Sequence, residues 1–262
     1  MSGDAVRNRL AVVTGASSGI GKELAKLAAQ HGNDVIVAAD EPAIHNVRDE
    51  LQSETVTVES IECDLGTAHG VDELIAKIGS RPVGLLMANA GIGIGGKFLD
   101  QPFDAHKSVI DVNVTGTAAL VHAVGSKMRY AGEGRILITG SIVDDIPGPY
   151  NIVYNASKAF IDNFGFALRD ELKDSGVTVT CLMPGLTDTA FFERAGMEDT
   201  GVGRTDLKDD PADVAQDGYR AMMAGEAGVV GGNFMNKVQS VFSELLPEPL
   251  LAAMHRQIAK PR

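Results

Sequence analysis

Apolar positions along the chain fall into short, β-branched runs separated by stretches of helical length. The runs are Leu10–Thr14, Asp34–Ala39, Thr55–Glu62, Val83–Ala88, Gly134–Thr139, Val177–Met183 and Val229–Val230. Between them, segments such as Ile20–His31 and Asp104–Tyr130 carry helical patterns. Strands that alternate with helices pair in parallel through right-handed crossovers. The expected fold is therefore α/β, a doubly wound parallel sheet of about seven strands with helices on both faces. No internal repeat or linker divides the chain, so residues 1–262 read as a single domain. One stretch stands apart. After the sixth run, Leu186–Gly225 mixes Phe191, Phe192, Met197, Met222 and Met223 with glycine and aspartate. It reads as an insertion over the carboxyl edge of the sheet, where ligands bind in this architecture. With Gly196, Gly201 and Gly203 as hinges it is expected to be a mobile lid over residues 186–225. A rigid cap is the rival reading.

Composition narrows the classes. A hydrophobic fraction of 44% is enough for a full core, and a net charge of −12 argues against nucleic acid and anionic membranes as partners. Cys63 and Cys181 lie in separate strand-like runs and are expected as reduced, buried thiols. The six histidines show no metal-ligand spacing, so no metal site is expected. The first ten residues are polar and carry both signs of charge, unlike a signal peptide, and no apolar run approaches the ~18 residues of a membrane span. A cytoplasmic location is expected.

The first run leads into Thr14-Gly15-Ala16-Ser17-Ser18-Gly19-Ile20-Gly21 and then an amphipathic helix. Glycines here let a pyrophosphate approach the backbone, and the helix end offers free N–H groups and a positive dipole. Gly15, Ser17, Ser18, Gly19, Ile20 and Gly21 are the candidate phosphate-binding residues. Alone, such a turn is also compatible with a plain strand-to-helix connection. The second run ends at Asp40, beside Glu41. An acid there can bond the adenosine ribose hydroxyls and repel a 2′-phosphate. No Lys or Arg lies in the glycine turn or at this strand end, so NAD is expected over NADP.

Tyr154 and Lys158 stand four apart in YNASK, on one face of a helix. A free tyrosine holds its proton to pH about 10. A neighbouring ammonium lowers that value toward the range useful for proton transfer. Ser141 follows the fifth run, where a hydroxyl can bond a substrate oxygen. A helix surface pair and a turn serine are the plainer readings of these residues taken singly.

Together they resemble the short, single-domain branch of the short-chain dehydrogenase/reductase family. The shared motifs run in the family's order: TGASSGIG at 14–21, CDL at 63–65, ANAG at 88–91, Asn113 of DVNVTG, Ser141, YNASK at 154–158 and PGLTDT at 184–189. The resemblance implies a Rossmann-like fold and hydride transfer between a nicotinamide cofactor and an alcohol or ketone carbon. Tyr154 would be the acid/base, Lys158 would hold the nicotinamide ribose, and Ser141 would orient the substrate oxygen. Asn113 would kink its helix and complete a proton relay to Lys158. Asp64 and Leu65 would contact adenine, and Asn89, Ala90 and Gly91 would shape the adenosine-ribose side. Pro184, Gly185, Thr187 and Thr189 would seat the carboxamide and diphosphate. The sequence departs from the family at Ala88, which stands where an asparagine is common, and at Asp144-Asp145 between Ser141 and Tyr154. A homotetramer or homodimer is implied, with Phe160, Phe164 and Leu168 as an outer apolar face. A catalytically silent dinucleotide sensor on the same fold is the alternative; such relatives usually lose Tyr, Lys or Ser, and all three are present here. The substrate is not named by any of these motifs.

Overall fold

The structure is a computed structural model and describes residues 9–143, 146–205, 208–232 and 248–260. Asp144 and Asp145 lie outside the described residues. Seven parallel strands form one sheet in the order β3-β2-β1-β4-β5-β6-β7. They are β1 (Leu10–Thr14), β2 (Asp34–Ala39), β3 (Val58–Glu62), β4 (Val83–Ala88), β5 (Gly134–Thr139), β6 (Val177–Pro184) and β7 (Gly228–Gly231). The expected third strand began at Thr55, but pairing starts only at Val58. The Thr57 N–H is taken instead by the Asp34 carboxylate at 2.7 Å, where the chain turns onto the sheet.

Alternate residues of each strand enter opposite cores, as a strand's period of two requires. Val12, Ile36 and Leu86 point into a core closed by α3 (Ala68–Ile78), α5 (Thr117–Ala131) and α6 (Ile152–Glu171). Val13, Val37 and Met87 point into the other, closed by α1 (Gly19–Gln30), α2 (Ile44–Leu51) and α9 (Pro211–Ala224). The chain reverses direction across the sheet between β1 and β4. The connections that leave the carboxyl ends of these two paired strands part to opposite faces of the sheet and leave a crevice.

The expected helix Asp104–Tyr130 is not uniform. It runs as α4 (Phe103–Ile110), a π-helical turn at Asp111–Gly116 and then α5. The widened turn centres on Asn113, whose carboxamide is drawn out to Ile92. Gly116 rests on the Leu65 carbonyl, where a Cβ would lie 2.0 Å from the oxygen. Such wide turns often mark functional positions.

Two expectations need correction. The stretch 186–225 is not one lid. Val214, Ala215, Tyr219 and Met222 of α9 belong to the sheet-packing core, so only the part through α7 (Phe191–Arg194) and α8 (Gly201–Arg204) can cover the cleft. Nor do Phe160, Phe164 and Leu168 form one outer face. Phe164 and Leu168 are partly buried and pack against the core, whereas Phe160 is exposed and stacked on Phe164. The carboxyl-terminal helix, α10 (Glu248–Ala259), crosses back over the crevice.

Candidate active site

The crevice holds a cavity of about 770 Å³ along the carboxyl ends of the strands. At one end lies the glycine turn. Ser18 is extended at the N-cap of α1 and makes no side-chain cap, and the first turn carries no acid. The amino end of this helix is therefore left to an outside acceptor. Gly21 has no room for a side chain, since a Cβ would lie 2.1 Å from the Gly15 carbonyl oxygen. Gly19 adopts φ +55° and lies under the Thr189 methyl. The turn is pinned to the next strand by Thr14, whose hydroxyl accepts the N–H groups of Asn89 and Ala90 at 3.1 and 3.0 Å. The Asn89 amide donates to the Thr14 carbonyl at 3.2 Å and accepts from the Thr139 hydroxyl at 3.0 Å. Asn89 thus ties together the ends of β1, β4 and β5. Ala88 is buried within β4 and takes no part. Thr14 and Thr139 went unread in the sequence, although a hydroxyl closing two neighbouring central strands was the available signal.

Asp40 stands exposed at the end of β2 and lines the cavity. Its neighbour Glu41 is held below the usual carboxylate range by a hydrogen bond from Ser17 and by Arg194, against an opposing effect of burial. Arg194 reaches Glu41 at 2.7 Å from α7. A cation therefore does stand at this end of the cleft. It escaped the sequence because it lies 153 residues away, on another element. Asp64 and Leu65 also line this end. The Asp64 carboxylate accepts the Gly66 N–H at 2.8 Å and so shapes the turn after β3.

At the other end, β5 delivers Ser141 and α6 delivers Tyr154 and Lys158 to the same wall. The Lys158 ammonium donates to the Thr139 carbonyl at 2.8 Å and lies 5.8 Å from the centre of the Tyr154 ring. Burial pushes Lys158 down to about 8, against the raising effect of Asp162. Burial likewise pushes Tyr154 up to about 12, a hydrogen bond with Ser141 opposing it and the Asp162 charge adding to it. From the sequence, Lys158 is expected to lower the phenol's value. Here burial decides instead, and the ammonium is spent on a carbonyl. The Asn113 carboxamide bonds both the N–H and the carbonyl of Ile92 at 2.9 Å and donates to the Ser157 hydroxyl at 2.9 Å. It fixes the loop after Gly91, which passes close to Lys158.

The remaining wall comes from three segments. At the end of β6, Pro184 accepts the Ile142 N–H at 3.1 Å, and beyond it the Thr187 hydroxyl donates to the Gly185 carbonyl at 3.1 Å. Phe191 then sits with its ring centre 5.0 Å from that of Tyr154, and it presses on Gly93, where a Cβ would lie 2.5 Å from the ring. The Gly95 N–H donates to the Ala195 carbonyl at 2.8 Å, so the segment around α7 is docked on the loop following Gly91. Finally, Leu251, Met254, His255 and Ile258 of α10 roof the cavity, with the His255 Nδ1 3.1 Å from the Pro149 carbonyl oxygen. Burial keeps His255 below its usual value, the Pro149 bond opposing. This roof was not read from the sequence. Amphipathic spacing in a tail does not say which face of the sheet it meets. Among the described residues, no cluster of His, Cys, Asp or Glu could hold a metal ion.

A dinucleotide-sized crevice with a Ser–Tyr–Lys wall defines a cofactor-dependent oxidoreductase of the doubly wound class. Residues 9–199 match the family described as short chain dehydrogenase. An uncharacterized oxidoreductase of Myxococcus xanthus is 38% identical over 180 residues, 68% of this chain and 71% of that protein. Another, from Staphylococcus aureus, is 32% identical over 80% of this chain and 88% of its own. A short-chain dehydrogenase from Sphingobium yanoikuyae, solved in complex with NADPH, superposes with a TM-score of 0.79 at 27% identity, covering 85% of this chain and 87% of that one. The chain belongs to the short-chain dehydrogenase/reductase family, and it is an oxidoreductase that moves hydride between a nicotinamide cofactor and a CH–OH or C=O carbon.

Proposed function

We propose that this enzyme interconverts uncharged, bulky secondary alcohols and ketones using NAD(H), with Tyr154 as acid/base. The observation that carries the reading is the convergence of Ser141, Tyr154 and Lys158 on one wall of the cleft whose other end is the uncapped α1 terminus. That terminus and the space at Gly21, too tight for any side chain, suit a diphosphate held by Gly15, Ser17, Ser18, Gly19, Ile20 and Gly21. Asp40, Asp64, Leu65, Asn89, Ala90 and Gly91 would hold the adenosine side, and Pro184, Gly185, Thr187 and Thr189 the nicotinamide side. The bound cofactor supplies or accepts the hydride. Ser141 donates to the substrate oxygen and fixes its direction. Tyr154 gives its phenolic proton to that oxygen during reduction and takes it back during oxidation. Lys158 turns from Thr139 toward the ribose and, as an ammonium near the phenol, favours the phenolate. Asn113 holds the neighbouring loop so that protons can pass along the Lys158 side. Leu186–Arg204 serves as the lid, closing Phe191 over Tyr154 to exclude water.

The substrate class follows from the lining. Near Tyr154 the walls are Ile142, Ile146, Phe191, Met197, Met254 and Ile258, and Lys158 is the one charged group among the described residues there. With Lys158 engaged by Thr139 and Arg194 by Glu41, a carboxylated or phosphorylated substrate would find no uncommitted cation among the described lining residues. The test is nicotinamide absorbance with paired ketones, neutral and carboxylated, of equal size. Higher kcat/KM on the carboxylated member would refute the assignment.

For the cofactor, Asp40 disfavours a 2′-phosphate while Glu41 occupies Arg194, the cation that could welcome it. The expected kcat/KM favours NAD over NADP. Asp40→Arg should shrink that ratio by about tenfold, an effect worth roughly 1.4 kcal/mol. A parent enzyme that uses NADP equally well would contradict the proposal.

A homodimer or homotetramer is also proposed. Phe103, Ile110 and Phe160 are exposed on the packed pair α4 and α6, and a two-fold axis would bury them. Light scattering at micromolar concentration should give twice or four times the chain mass, and Phe160→Asp should lower it. A monomeric parent ends this proposal. Cys63 and Cys181, both buried and not joined in a disulfide, accord with a reducing, cytoplasmic setting.

A further inference from the structure

One buried charge has no place in the mechanism so far. Tyr154, Lys158 and Asp162 follow one another at intervals of four along α6 and share a face of that helix. Asp162 is only 2% exposed. A carboxylate at that depth is costly unless its oxygens are bonded and its charge is answered. One oxygen and the charge both lead back to the reacting groups. Its Oδ2 accepts the main-chain N–H of Ser141 at 3.2 Å. The carboxylate fills the space beneath Gly140, where a Cβ would lie 1.9 Å from Oδ1. Glycine at 140 is thus what allows the carboxylate to reach the end of β5. Its charge bears on both neighbours up the helix, raising Lys158 against the effect of burial and raising Tyr154 with it.

We propose that Asp162 is a positioning residue for the reaction, anchoring Ser141 through its main-chain N–H and supplying the counter-charge to the Lys158 ammonium. The inference rests on the roles proposed for Ser141, Tyr154 and Lys158. The other ionisable groups packed around α6 are accounted for separately. The Sγ of Cys181 in β6 lies 3.9 Å from the Asp162 main-chain oxygen. On the α4 side, Lys107 and Asp111 pair with each other, and the ring of His106 is bonded to the Phe98 carbonyl. Among the described residues, the charge that raises Lys158 is that of Asp162.

Asp162→Asn separates the two roles, because an amide oxygen can still accept the Ser141 N–H while the charge is gone. Losing a nearby negative charge lowers the proton affinity of both members of a coupled pair. Two readouts follow. In the free protein carrying lysine labelled with ¹³C at Cε, the resonance assigned by its loss in Lys158→Arg should titrate about one pH unit lower in Asp162→Asn. In the enzyme with cofactor, the pH profile of kcat/KM for ketone reduction should move to lower pH by a similar amount. Asp162→Ala, which also removes the anchor, should lose a further factor of about ten in kcat with less effect on the cofactor KM. If Asp162→Ala fails to fold, the asparagine variant still decides the matter. Unchanged titration and an unchanged profile in Asp162→Asn would overturn the inference. Tyr154→Phe, measured alongside, keeps the two readings apart. Turnover retained in Tyr154→Phe sinks the site assignment, whereas turnover lost there with an unmoved Asp162→Asn profile sinks the role of Asp162 alone.

Discussion

Tyr154→Phe is expected to lose between about a hundredfold and ten-thousandfold in kcat, the contribution typical of a positioned acid/base group. In the proposed mechanism the phenol is the proton donor that meets the substrate oxygen beside Ser141, and phenylalanine keeps the ring while removing that proton. The ring packs against Phe191 at 5.0 Å, a contact that phenylalanine retains, so fold and lid should persist. Cofactor binding, followed by quenching or enhancement of reduced-nicotinamide fluorescence, should stay within a few-fold of the parent. The pH dependence adds a check. Burial holds the phenol up to about 12 in the free protein, so the acid form predominates at neutral pH and reduction can begin from it. Oxidation needs the phenolate, and its rate should rise with pH until a bound cationic nicotinamide and a redirected Lys158 have brought the phenol down. Turnover in Tyr154→Phe within a factor of two of the parent would remove Tyr154 from the mechanism.

Gly93→Val should cost about a hundredfold in kcat/KM, the order of loss produced when a reacting group is displaced by about an ångström. Even a single Cβ at this position would meet the Phe191 ring at 2.5 Å, and valine adds two methyl groups. Phe191 must then leave its place over Tyr154, and the lid cannot settle on the loop where Gly95 bonds Ala195. The loss should fall on turnover more than on cofactor affinity, because the glycine turn and Asp40 lie at the far end of the cleft. Thermal unfolding separates this from simple destabilisation, since Gly93 is half-buried at the mouth rather than in either core. In the parent, amides of 186–204 should exchange quickly and slow with cofactor and substrate analogue; in Gly93→Val that slowing should be lost. A variant that keeps kcat/KM within threefold and protects the segment normally would show that covering Tyr154 with Phe191 is not required.

Much of the fold was legible in the chain because it rests on local patterning. A strand buried on both faces must be apolar almost throughout, and LAVVT, VGLLMA and RILIT can hardly be anything else. The order of strands follows from short right-handed crossovers. The boundaries were less secure where a side chain intercepts the pairing, as Asp34 does at Thr57. The stretch after β6 misled for a related reason: phenylalanine and methionine serve a lid and a core equally well. Only packing shows that Met197 belongs to the small cluster over the cleft and Met222 to the sheet.

The candidate site divides along the same line. By itself the sequence singled out the groups proposed to carry the chemistry, because a glycine turn after a strand and a tyrosine four residues before a lysine are local devices with local geometry. Tertiary structure alone decided what surrounds those groups. It set Arg194 against Glu41 across 153 residues, laid α10 over the cavity, turned the Lys158 ammonium toward Thr139 and placed Asp162 under Gly140. The physical reason is distance along the chain. Hydrogen bonds, burial and charge act over a few ångströms in space, and the residues they join here come from elements that only the crossovers of the sheet bring side by side.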